Sequence, residues 1–354
     1  MITYLTNRYF RFLRWIQKLV IRFSMVYSRI KVRSTRKLFV KKVGRSVMTR
    51  RLKRTIQAYA RERFGSAAYW PHLAHFTEIR GEFIKGWIPR EYFHYILEPR
   101  LNPPAYNNLG DLRTFDYARF GDFAIKPLFM HITGNYYDAD FVQVAPEKVK
   151  AFMTGYNDAI VVKQEFGWGG KQVRVIHSSE FKTELFERGV NYVIQPYIRQ
   201  YKPLRDLYPH SLNTFRVTTF QKKDGSVEIL FVILRFGVDG KKVDNLSSGG
   251  QCIRIDLSGK PADMAYDEWC APAGNKHKNT GFEFATLELP MAGEIFGKCK
   301  SAHRKHPHLR LIGWDVCLTE AGEPKLVEWN THWPTFNLED ALFGPFLTDD
   351  RELE

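Results

Sequence analysis

The sequence predicts an α+β fold with antiparallel sheets, and three observations lead to that prediction. From Phe123 onward, short runs rich in β-branched and aromatic residues, such as "DAIVVKQEF", "NYVIQPYI", "TFRVTTF" and "VEILFVILRFG", alternate with helix-length segments. Glycine and Asn-Asp turns separate several of these runs, as is typical of hairpins. The first 65 residues instead show a helical period and a high density of cations. We therefore expect a basic helical segment followed by an α+β body.

We divide the 354 residues into four segments. Residues 1–65 are expected to form a basic amphipathic helical segment, and residues 66–122 a small α/β lead-in domain. Residues 123–200 and 201–354 are expected to form the two lobes of the body. With 44% hydrophobic and 15% aromatic residues, the chain has enough apolar material for a core, which excludes a disordered protein.

The positive charge of the chain lies almost entirely at its N-terminus. Residues 1–65 contain 19 Lys and Arg against the single acid Glu62, whereas the remaining residues contain 34 basic and 37 acidic side chains. The overall charge of +15 therefore leaves the body with a balance of −3. This distribution argues against nucleic-acid binding by the folded part.

Residues 4–30 carry the period of an amphipathic helix. The apolar stripe consists of Phe12, Ile16, Leu19, Phe23, Val26 and Ile30, and the opposite face carries Arg11, Arg14, Lys18, Arg22 and Arg29. This pattern predicts a helix that lies in an anionic membrane surface, with Trp15 near the headgroup boundary. One alternative is a helix that packs on its own body with solvated arginines. The Arg-rich, acid-poor start is also typical of an organelle transit peptide.

The cysteines and the absence of long apolar runs predict the compartment. Cys252, Cys270, Cys299 and Cys317 lack CxxC spacing, which favours reduced thiols over a zinc site or a disulfide framework. No apolar run approaches the ~20 residues needed to span a bilayer, and arginines interrupt the N-terminal stretch that a signal peptide would use. We expect a cytoplasmic protein, peripheral on the cytoplasmic face of the membrane if the N-terminal helix binds lipid.

The runs "LIGWDVCLT" and "PKLVEWN", joined by "EAGEP", predict a hairpin centred on residues 321 and 322 that places Asp315 opposite Glu328. Opposed like charges destabilise a strand pair, and Asn330, two residues beyond Glu328, shares its face. A Mg²⁺ ion held by these three side chains would remove the repulsion. The alternative is a surface hairpin with two solvated acids. Apolar neighbours predict that the other face is buried; they are Ile312, Trp314, Val316, Val327 and Trp329.

The stretch "VVKQEFGWGGKQV", residues 161–173, predicts a strand that carries Lys163 into a loop with Gly167, Gly169 and Gly170. Glycines allow backbone N–H groups to surround phosphate oxygens, and a lysine supplies positive charge. The spacing is not that of a Walker A loop. A flexible turn with an incidental lysine is the alternative. Upstream, Lys126 in "FAIKP" ends another predicted strand.

Arg216 and Arg235 lie within otherwise apolar predicted strands, where a buried guanidinium needs an acidic partner or a bound anion. The turn "VDNLSSGG" adds polar and glycine residues that are able to approach a ligand; they are Asp244, Asn245, Gly249 and Gly250. The stretch "AHRKHPH", with His303, His306 and His308, predicts an exposed loop rather than a metal site.

The order of these features resembles the ATP-grasp superfamily, and within it the sugar-transfer-associated branch related to glutamate-ligase-like enzymes. The resemblance covers roughly residues 123–340. Its most specific strings are "SLNTFRV", "LRFG…VDNLSSGG" and "IGWDVCLTEAGEPKLVEWN". It implies two α+β lobes that sandwich a nucleotide. In two places the chain departs from the pattern: Gln164 stands where a Pro often follows the lysine, and Trp329 stands where the branch commonly has Gly. We expect Trp329 to narrow the acceptor pocket.

The resemblance also implies roles for individual residues. Lys126 and Lys163 would contact the α- and β-phosphates of ATP, and Gly167, Gly169 and Gly170 would form the lid over them. The backbone of Gln195, Pro196, Tyr197 and Ile198 would face the adenine. Arg216 and Arg235 would contact the γ-phosphate or the acyl group, and Asp315, Glu328 and Asn330 would hold one or two Mg²⁺ ions. Weaker candidates for substrate contacts are Asn213, Asp244, Asn245, Gly249 and Gly250. The acid that usually binds the ribose hydroxyls in the family has no clear counterpart in this sequence, and Asp206 is a weak candidate for it.

The activity implied by the resemblance is that of an ATP-dependent carboxylate–amine ligase that works through an acyl phosphate and releases ADP. Its acceptor would be a sugar carboxylate, free or lipid-linked, and its donor an amine or amino acid, in the assembly of bacterial surface polysaccharides. Two alternatives remain. One is ATP-dependent phosphoryl transfer to a sugar; the other is a non-catalytic protein that binds the membrane surface.

Overall fold

Two antiparallel sheets and a set of helices make up the described part of the chain in the computed structural model, namely residues 2–167, 172–182, 185–334, 339–348 and 353. For residues 2–11 and 14 only the backbone is described. The chain divides into two units, Met1–Leu101 with Thr335–Glu354 and Asn102–Pro334. The first unit is helical and the second carries both sheets. The predicted α+β class and the N-terminal helical segment are thus confirmed.

The helical unit is built from a long first helix and several shorter ones. Its helices are α1 (Ile2–Val43), α2 (Arg50–Phe64), α3 (Trp70–Arg80), α4 (Arg90–Tyr92) and α5 (Glu98–Leu101), with a π-helical turn at Phe93–Leu97 and a C-terminal helix at Glu339–Phe343. Thr49 caps α2 by accepting a hydrogen bond from the N–H of Leu52, and Gly65 ends it in a left-handed conformation.

One face of α1 packs within this unit. Met25 belongs to the buried cluster that also contains Leu73 of α3. The Nε atom of Arg29 donates to Oε1 of the buried Glu91 at 2.9 Å. Arg29 is therefore not a solvated arginine, because it is committed to an internal ion pair. In the described part of the chain, none of the helices has both the length and the apolar character needed to cross a bilayer.

Residues 66–122 contain helices and 3-10 turns and no strand, so the α/β character predicted for this segment is wrong. Helix α3 shows why. All residues from Pro71 to Glu78 are buried, which leaves the helix without a polar face. An all-round buried helix lacks the 3.6-residue alternation by which a sequence reveals a helix.

The smaller sheet of the second unit has the strand order β3-β2-β1-β6-β4-β5. Its strands are β1 (Phe129–Ile132), β2 (Asn135–Tyr137), β3 (Gln143–Val144), β4 (Ala159–Gln164), β5 (Val173–His177) and β6 (Tyr192–Pro196). Two helices belong to this part of the chain, α6 (Asp116–Phe120) and α7 (Pro146–Tyr156). One face of the sheet packs on α7 through Ile160, Val162, Val149 and Met153, which leaves the other face for a site.

The larger sheet has the strand order β11-β10-β9-β8-β7-β12-β13, and every pairing is antiparallel. Its strands are β7 (Thr214–Gln221), β8 (Val227–Phe236), β9 (Gln251–Ile255), β10 (Pro261–Tyr266), β11 (Pro272–Gly274), β12 (Leu311–Leu318) and β13 (Pro324–Asn330). Helices α8 (Lys202–Leu207) and α9 (Ala292–Arg304) contribute to the core on one face of this sheet. The strands β7 and β12 are buried along their whole length.

The hairpin β12–β13 contains the predicted pair, because Asp315 lies directly opposite Glu328. A β-bulge lies beside this pair. Leu318 pairs with Pro324 and Val316 with Leu326, but the register of the two strands shifts between residues 315 and 316. Leu326 is consequently a core residue, whereas Val327 is only half-buried. The predicted pairing is confirmed, but the regular alternation that placed Val327 in the core is wrong.

Candidate functional site

The larger sheet has one polar face that is almost entirely buried. Strand register places Arg216 of β7 next to Asp315 of β12, and Asp315 next to Glu328 of β13. Because side chains alternate along a strand, the residues between them point to the opposite face and form the core. On that core face the rings of Trp314 and Trp329 stack with their centroids 5.8 Å apart.

Trp329 therefore lies in the core, and the expectation that it narrows an acceptor pocket is wrong. Its side chain is 1% exposed, and its Nε1 donates to Oδ1 of Asp116 at 3.0 Å. Burial raises the pKa of Asp116 from 3.8 to about 7, an effect that the hydrogen bond from Trp329 only partly offsets. A tryptophan at this position adds stacked apolar surface to the core and does not line the site.

Asp315 is held between two guanidinium groups. Arg216 binds both of its oxygens through Nε and Nη2, the Nη2–Oδ2 distance being 2.9 Å. Arg235 approaches Oδ1 through its Nη2 at 3.0 Å. Burial favours the neutral carboxyl, but the two arginines outweigh burial and lower the pKa of Asp315. The carboxylate is thus charged, and the predicted need of both strand arginines for an acidic partner is met within the protein.

Glu328 is the more accessible carboxylate, with its side chain 35% exposed. Its Oε2 accepts from Nη2 of Arg113 at 3.2 Å. Asn330, two residues further on, has a buried Nδ2 atom that finds no hydrogen-bond partner among the described residues. Glu328 and Asn330 share a face of β13. A partly exposed carboxylate therefore lies beside an amide whose nitrogen lacks a hydrogen-bond partner among the described residues.

These three side chains fit a hard divalent cation in chemical type, although both oxygens of Asp315 also have arginine partners. Mg²⁺ prefers carboxylate and amide oxygens, and an unsatisfied buried amide is a group that a ligand would satisfy. Exchanging the oxygen and nitrogen of the Asn330 amide by a flip would turn that buried atom into an oxygen ligand. Among the described residues, no group of three His, Cys, Asp or Glu is placed to hold a metal ion.

Lys163 of β4 points to the face of the smaller sheet that does not pack on α7. It pairs with Val193 of β6, and Val161, two residues before it, pairs with Gln195. Burial, and then the charge of Arg113, lower the pKa of Lys163, while Glu328 acts in the opposite sense. Within the described part of the chain Lys163 forms no ion pair. Lys163 is half-buried, and a partly desolvated cation without a salt bridge is a group that a bound anion would stabilise.

Arg113 links the Gly-rich loop to Glu328, although no sequence pattern singles it out. Its Nη1 donates to the carbonyl oxygens of Gln164 and Glu165, both at 2.9 Å, and its Nη2 to that of Gly167 at 2.8 Å. Gly167 is therefore part of the described loop stem, whereas Gly169 and Gly170 lie outside the described residues. Arg113 lies 51 to 215 residues from these partners, so no local pattern predicts the contacts.

Lys126 and the segment after β6 lie near one another. Lys126 precedes β1 rather than ending a strand, so the predicted strand position is wrong, and its side chain is exposed. Gln195 donates from Nε2 to the carbonyl of Ile125 at 3.2 Å, which brings it beside Lys126. Pro196 ends β6, and the two residues that complete the predicted adenine contact follow it: Tyr197 is exposed and Ile198 is half-buried.

The weaker substrate candidates have internal partners. Asn213 is fully buried and donates from Nδ2 to the carbonyls of Leu204 and Tyr208, so a substrate contact through that amide is not supported. Asp244 accepts from the backbone N–H of Thr214 at 3.1 Å. The remaining candidates shape the turn after it: Asn245 caps a 3-10 turn, Gly249 has a φ of 82°, and a Cβ on Gly250 would lie 2.5 Å from the Asp244 carbonyl oxygen.

Two further expectations are settled by burial and pairing. His303 is fully buried in α9, where its Nε2 bonds to the Leu309 carbonyl and its Nδ1 to Thr219. The predicted exposed loop is therefore wrong for this histidine, whose pKa burial lowers to about 4. Asp206 is largely exposed and pairs with Lys202 on α8, so its carboxylate already has a cationic partner.

The comparisons with known proteins agree with the resemblance. The family described as "Sugar-transfer associated ATP-grasp" matches residues 185–341. No curated protein matches the chain in sequence. Among solved structures, an ATP-grasp ligase PsnB complexed with minimal precursor is 14% identical, with 68% of this chain and 57% of that chain covered and a TM-score of 0.38.

Two other solved structures show comparable sequence identities and TM-scores. Biotin carboxylase from Campylobacter jejuni is 10% identical, with 70% of this chain and 46% of that chain covered and a TM-score of 0.42. N5-carboxyaminoimidazole ribonucleotide synthetase from Thermotoga maritima is 13% identical, with 72% and 52% covered and a TM-score of 0.41. The chain spans about half the length of these solved structures.

Proposed function

Since residues 185–341 match the sugar-transfer associated ATP-grasp family, we propose that the chain is an ATP-dependent carboxylate–amine ligase. The observation that carries the proposal is the placement of Lys163. This half-buried lysine, which has no salt bridge among the described residues, interacts electrostatically with Glu328, whose neighbours across and along the strands are Asp315 and Asn330. A cation that interacts with Glu328, beside a second carboxylate and an amide, is suited to a nucleotide phosphate bound together with Mg²⁺.

The proposed reaction needs fixed positive charge rather than a protein nucleophile. Transfer of the γ-phosphoryl group of ATP to the substrate carboxylate gives an acyl phosphate and ADP. Attack by the amine nitrogen on the acyl carbon then forms the amide, releases phosphate and gives up a proton. Negative charge develops on phosphoryl oxygens in the first step, and groups already in place stabilise it without reorganisation.

The side chains of this chain supply such groups. Lys163 places its ammonium in a half-buried position, where charge interactions are stronger than in bulk water. Arg216 and Arg235 are oriented by their bonds to Asp315, so their guanidinium groups do not need to be ordered when substrate binds. Asp315, Glu328 and Asn330 would hold the Mg²⁺. When bound, that ion neutralises charge on the phosphate oxygens and fixes their orientation.

The adenine and triphosphate contacts are proposed to follow the family pattern. Lys126 and Lys163 would contact the α- and β-phosphates, and Gln195 to Ile198 would face the adenine. The backbone of the glycine loop would cover the phosphates. Exclusion of water from the loaded site would limit hydrolysis of the acyl phosphate.

Release of ADP is the direct test. We expect Glu328→Gln and Lys163→Ala each to abolish ADP release in a screen of uronic acids against amino acids, read by mass spectrometry. The matched control is Glu323→Gln, because Glu323 lies in the turn of the same hairpin with its side chain 62% exposed. Normal turnover by the Glu328 or Lys163 variant would contradict the ligase proposal. ADP release with a phosphorylated sugar and no amide product would favour the phosphotransferase alternative.

We further propose that the acceptor is a sugar carboxylate, free or lipid-linked, used in bacterial surface-polysaccharide assembly. The support is the sugar-transfer association in the description of the matching family. The chain would then act from the cytoplasm at the membrane face where lipid-linked glycans are made.

The N-terminal helix supports the membrane location. On α1, the residues of the predicted stripe lie on the side opposite Ile21, Met25, Val32 and Phe39, which are buried or half-buried. The stripe is exposed at Phe12, Phe23, Val26 and Ile30, and Phe23 reaches 73% exposure. Contiguous exposed apolar side chains are typical of an interaction surface. The net charge of residues 1–65, +18 from the composition, favours an anionic lipid surface as the partner.

Point substitutions test this proposal better than removal of residues 1–30, because that truncation would delete Met25 from the core and Arg29 from its ion pair. We expect Phe12→Asp with Phe23→Asp to abolish sedimentation of the full chain with phosphatidylserine vesicles. Two exposed apolar residues of the other unit provide the control: Val142→Asp with Leu257→Asp, which sediments like the unmodified chain. Equal sedimentation of both double variants would contradict lipid binding by α1. Lipid binding without any ATP binding would favour the non-catalytic alternative.

A further inference from the structure

The guanidinium of Arg113 makes two kinds of contact at once. Three are to backbone carbonyls of the loop stem, those of Gln164, Glu165 and Gly167, at 2.8 to 2.9 Å. The fourth is to a side chain, Oε2 of Glu328, at 3.2 Å. Since the carbonyls saturate most of the guanidinium, the loop stem determines where the positive charge lies.

The neighbouring residues hold the loop stem firmly. Thr114 Oγ1 donates to Oε1 of the buried Glu165, and Asn191 donates from Nδ2 to Oε2 of the same carboxylate at 2.7 Å. The N–H of Glu165 donates to the Asn191 carbonyl at 2.8 Å. The end of β4 is therefore tied both to Arg113–Thr114 and to the residue before β6, and Arg113 is not a loosely placed surface arginine.

The contact with Glu328 conflicts with metal binding at that carboxylate. A guanidinium 3.2 Å from Oε2 occupies one of its lone pairs and repels an arriving divalent cation. The Arg113 side chain is 12% exposed, so solvent screens the repulsion only in part. When Oε2 turns to a metal ion, Nη2 of Arg113 keeps its hydrogen bond to the Gly167 carbonyl, but its second N–H loses Glu328 as an acceptor.

We propose that Arg113 is a positioning residue with two opposed effects on the site. It holds the stem of the Gly-rich loop in place, which favours nucleotide binding. It also neutralises Glu328 when no cation is bound, which weakens metal binding. The inference rests on the proposed function, because it takes Glu328 to be a metal ligand. A residue that served only to stabilise the fold would produce losses in both properties when replaced, never a gain in one.

Mn²⁺ binding to the nucleotide-free full chain, followed by titration calorimetry, separates these effects. We expect Arg113→Gln to bind Mn²⁺ about two- to fivefold more tightly than the unmodified chain, the range that corresponds to losing one partly exposed charge interaction. The same variant is expected to show a higher KM for ATP. The control is Arg119→Gln, which removes an equal charge from the same region; Arg119 bonds to the Leu109 carbonyl and is expected to leave Mn²⁺ affinity unchanged.

Two further variants make the outcome unambiguous. Arg113→Lys keeps the charge but not the fork that reaches several carbonyls, so we expect unchanged Mn²⁺ affinity with a raised KM for ATP. If Arg113→Gln fails to fold, an Arg113→Lys variant whose KM for ATP equals that of the unmodified chain overturns the proposal, because the fork that holds the loop stem is then not needed. Weaker or unchanged Mn²⁺ binding by Arg113→Gln, with Glu328→Gln losing Mn²⁺, overturns the role of Arg113 alone. Undiminished Mn²⁺ binding by Glu328→Gln overturns the proposed metal site, and the role of Arg113 with it.

Discussion

The two carboxylates assigned to the metal are predicted to differ sharply in their contribution to stability. Asp315→Asn leaves two buried guanidinium groups facing an uncharged amide, whereas Glu328→Gln removes a charge whose side chain is 35% exposed. Both substitutions preserve size and one acceptor oxygen. Any difference in folding free energy therefore reports the difference in electrostatic environment.

The magnitude follows from the contacts. Removing one partner of a buried ion pair costs about 3 to 5 kcal/mol. Two contacts soften the loss: Arg235 keeps Asp244 at 3.6 Å, and Arg216 keeps the Pro334 carbonyl at 3.4 Å. We therefore expect Asp315→Asn to cost about 3 kcal/mol, the lower end of that range. Partly exposed pairs contribute about 0 to 1 kcal/mol, so Glu328→Gln is expected to cost less than about 1 kcal/mol.

Urea unfolding followed by tryptophan fluorescence measures the difference, because Trp314 and Trp329 lie on the opposite face of the same strands. For a slope of about 2 to 3 kcal/mol per molar urea, the Asp315 variant should unfold at roughly 1 M less urea. The Glu328 variant should unfold within about 0.4 M of the unmodified chain. Equal midpoints for the two variants would refute the reasoning that Asp315 is primarily an anchor for two arginines.

Three further predictions concern burial and close packing. Burial raises the pKa of Asp116 from 3.8 to about 7, so its neutral form stabilises the fold below pH 3.8 and this contribution is lost as the pH rises towards 7. Asp116→Asn should accordingly gain stability relative to the unmodified chain between pH 4 and 7, by up to about 4 kcal/mol at about 1.36 kcal/mol per pKa unit, and a constant difference in melts across this range would contradict it. Lys163→Met, which replaces a desolvated ammonium with an apolar group, should leave the melting temperature unchanged or higher while ATP binding measured by calorimetry is lost; a marked drop in melting temperature would contradict the buried-cation argument. Gly313→Ala should cost about 1 to 3 kcal/mol in urea unfolding, because its Cβ would lie 2.3 Å from the Pro334 carbonyl oxygen, whereas the control Gly297→Ala in α9 meets no atom within 4 Å and should stabilise by about 0.5 to 1 kcal/mol.

The strands of the site were predictable because each is a separate run of β-branched and aromatic residues. The strands β4, β6, β7, β8, β12 and β13 all coincide with such runs. Glu328 and Asn330 are two residues apart in a predicted strand, and strand geometry therefore places them on the same face. These inferences depend only on local periodicity, which a sequence displays directly.

What the sequence did not predict depends on contacts between distant residues. Arg113 lies in a stretch of short 3-10 turns without periodicity, and its partners come from two different sheets. The burial of Trp329 and of His303 follows from what packs on them, not from their neighbours in sequence. The bulge at residue 315 likewise has no signature in the run "PKLVEWN". Helix α3 was not predicted for the same reason. It is buried on all sides, so its sequence does not separate an apolar face from a polar one.

The opposition of Asp315 and Glu328 is explained within the protein, without a metal ion. Arg216 and Arg235 neutralise Asp315, and Arg113 neutralises Glu328, so the cross-strand pair is stable as the structure stands. The case for a cation therefore does not rest on repulsion. It rests on the groups that remain unsatisfied, the buried Nδ2 atom of Asn330 and the half-buried ammonium of Lys163, which a metal ion and a phosphate would satisfy together. A carboxylate that has a guanidinium partner must exchange it to bind a metal ion. For that reason we expect metal affinity here to depend on Arg113 as well as on the ligands themselves.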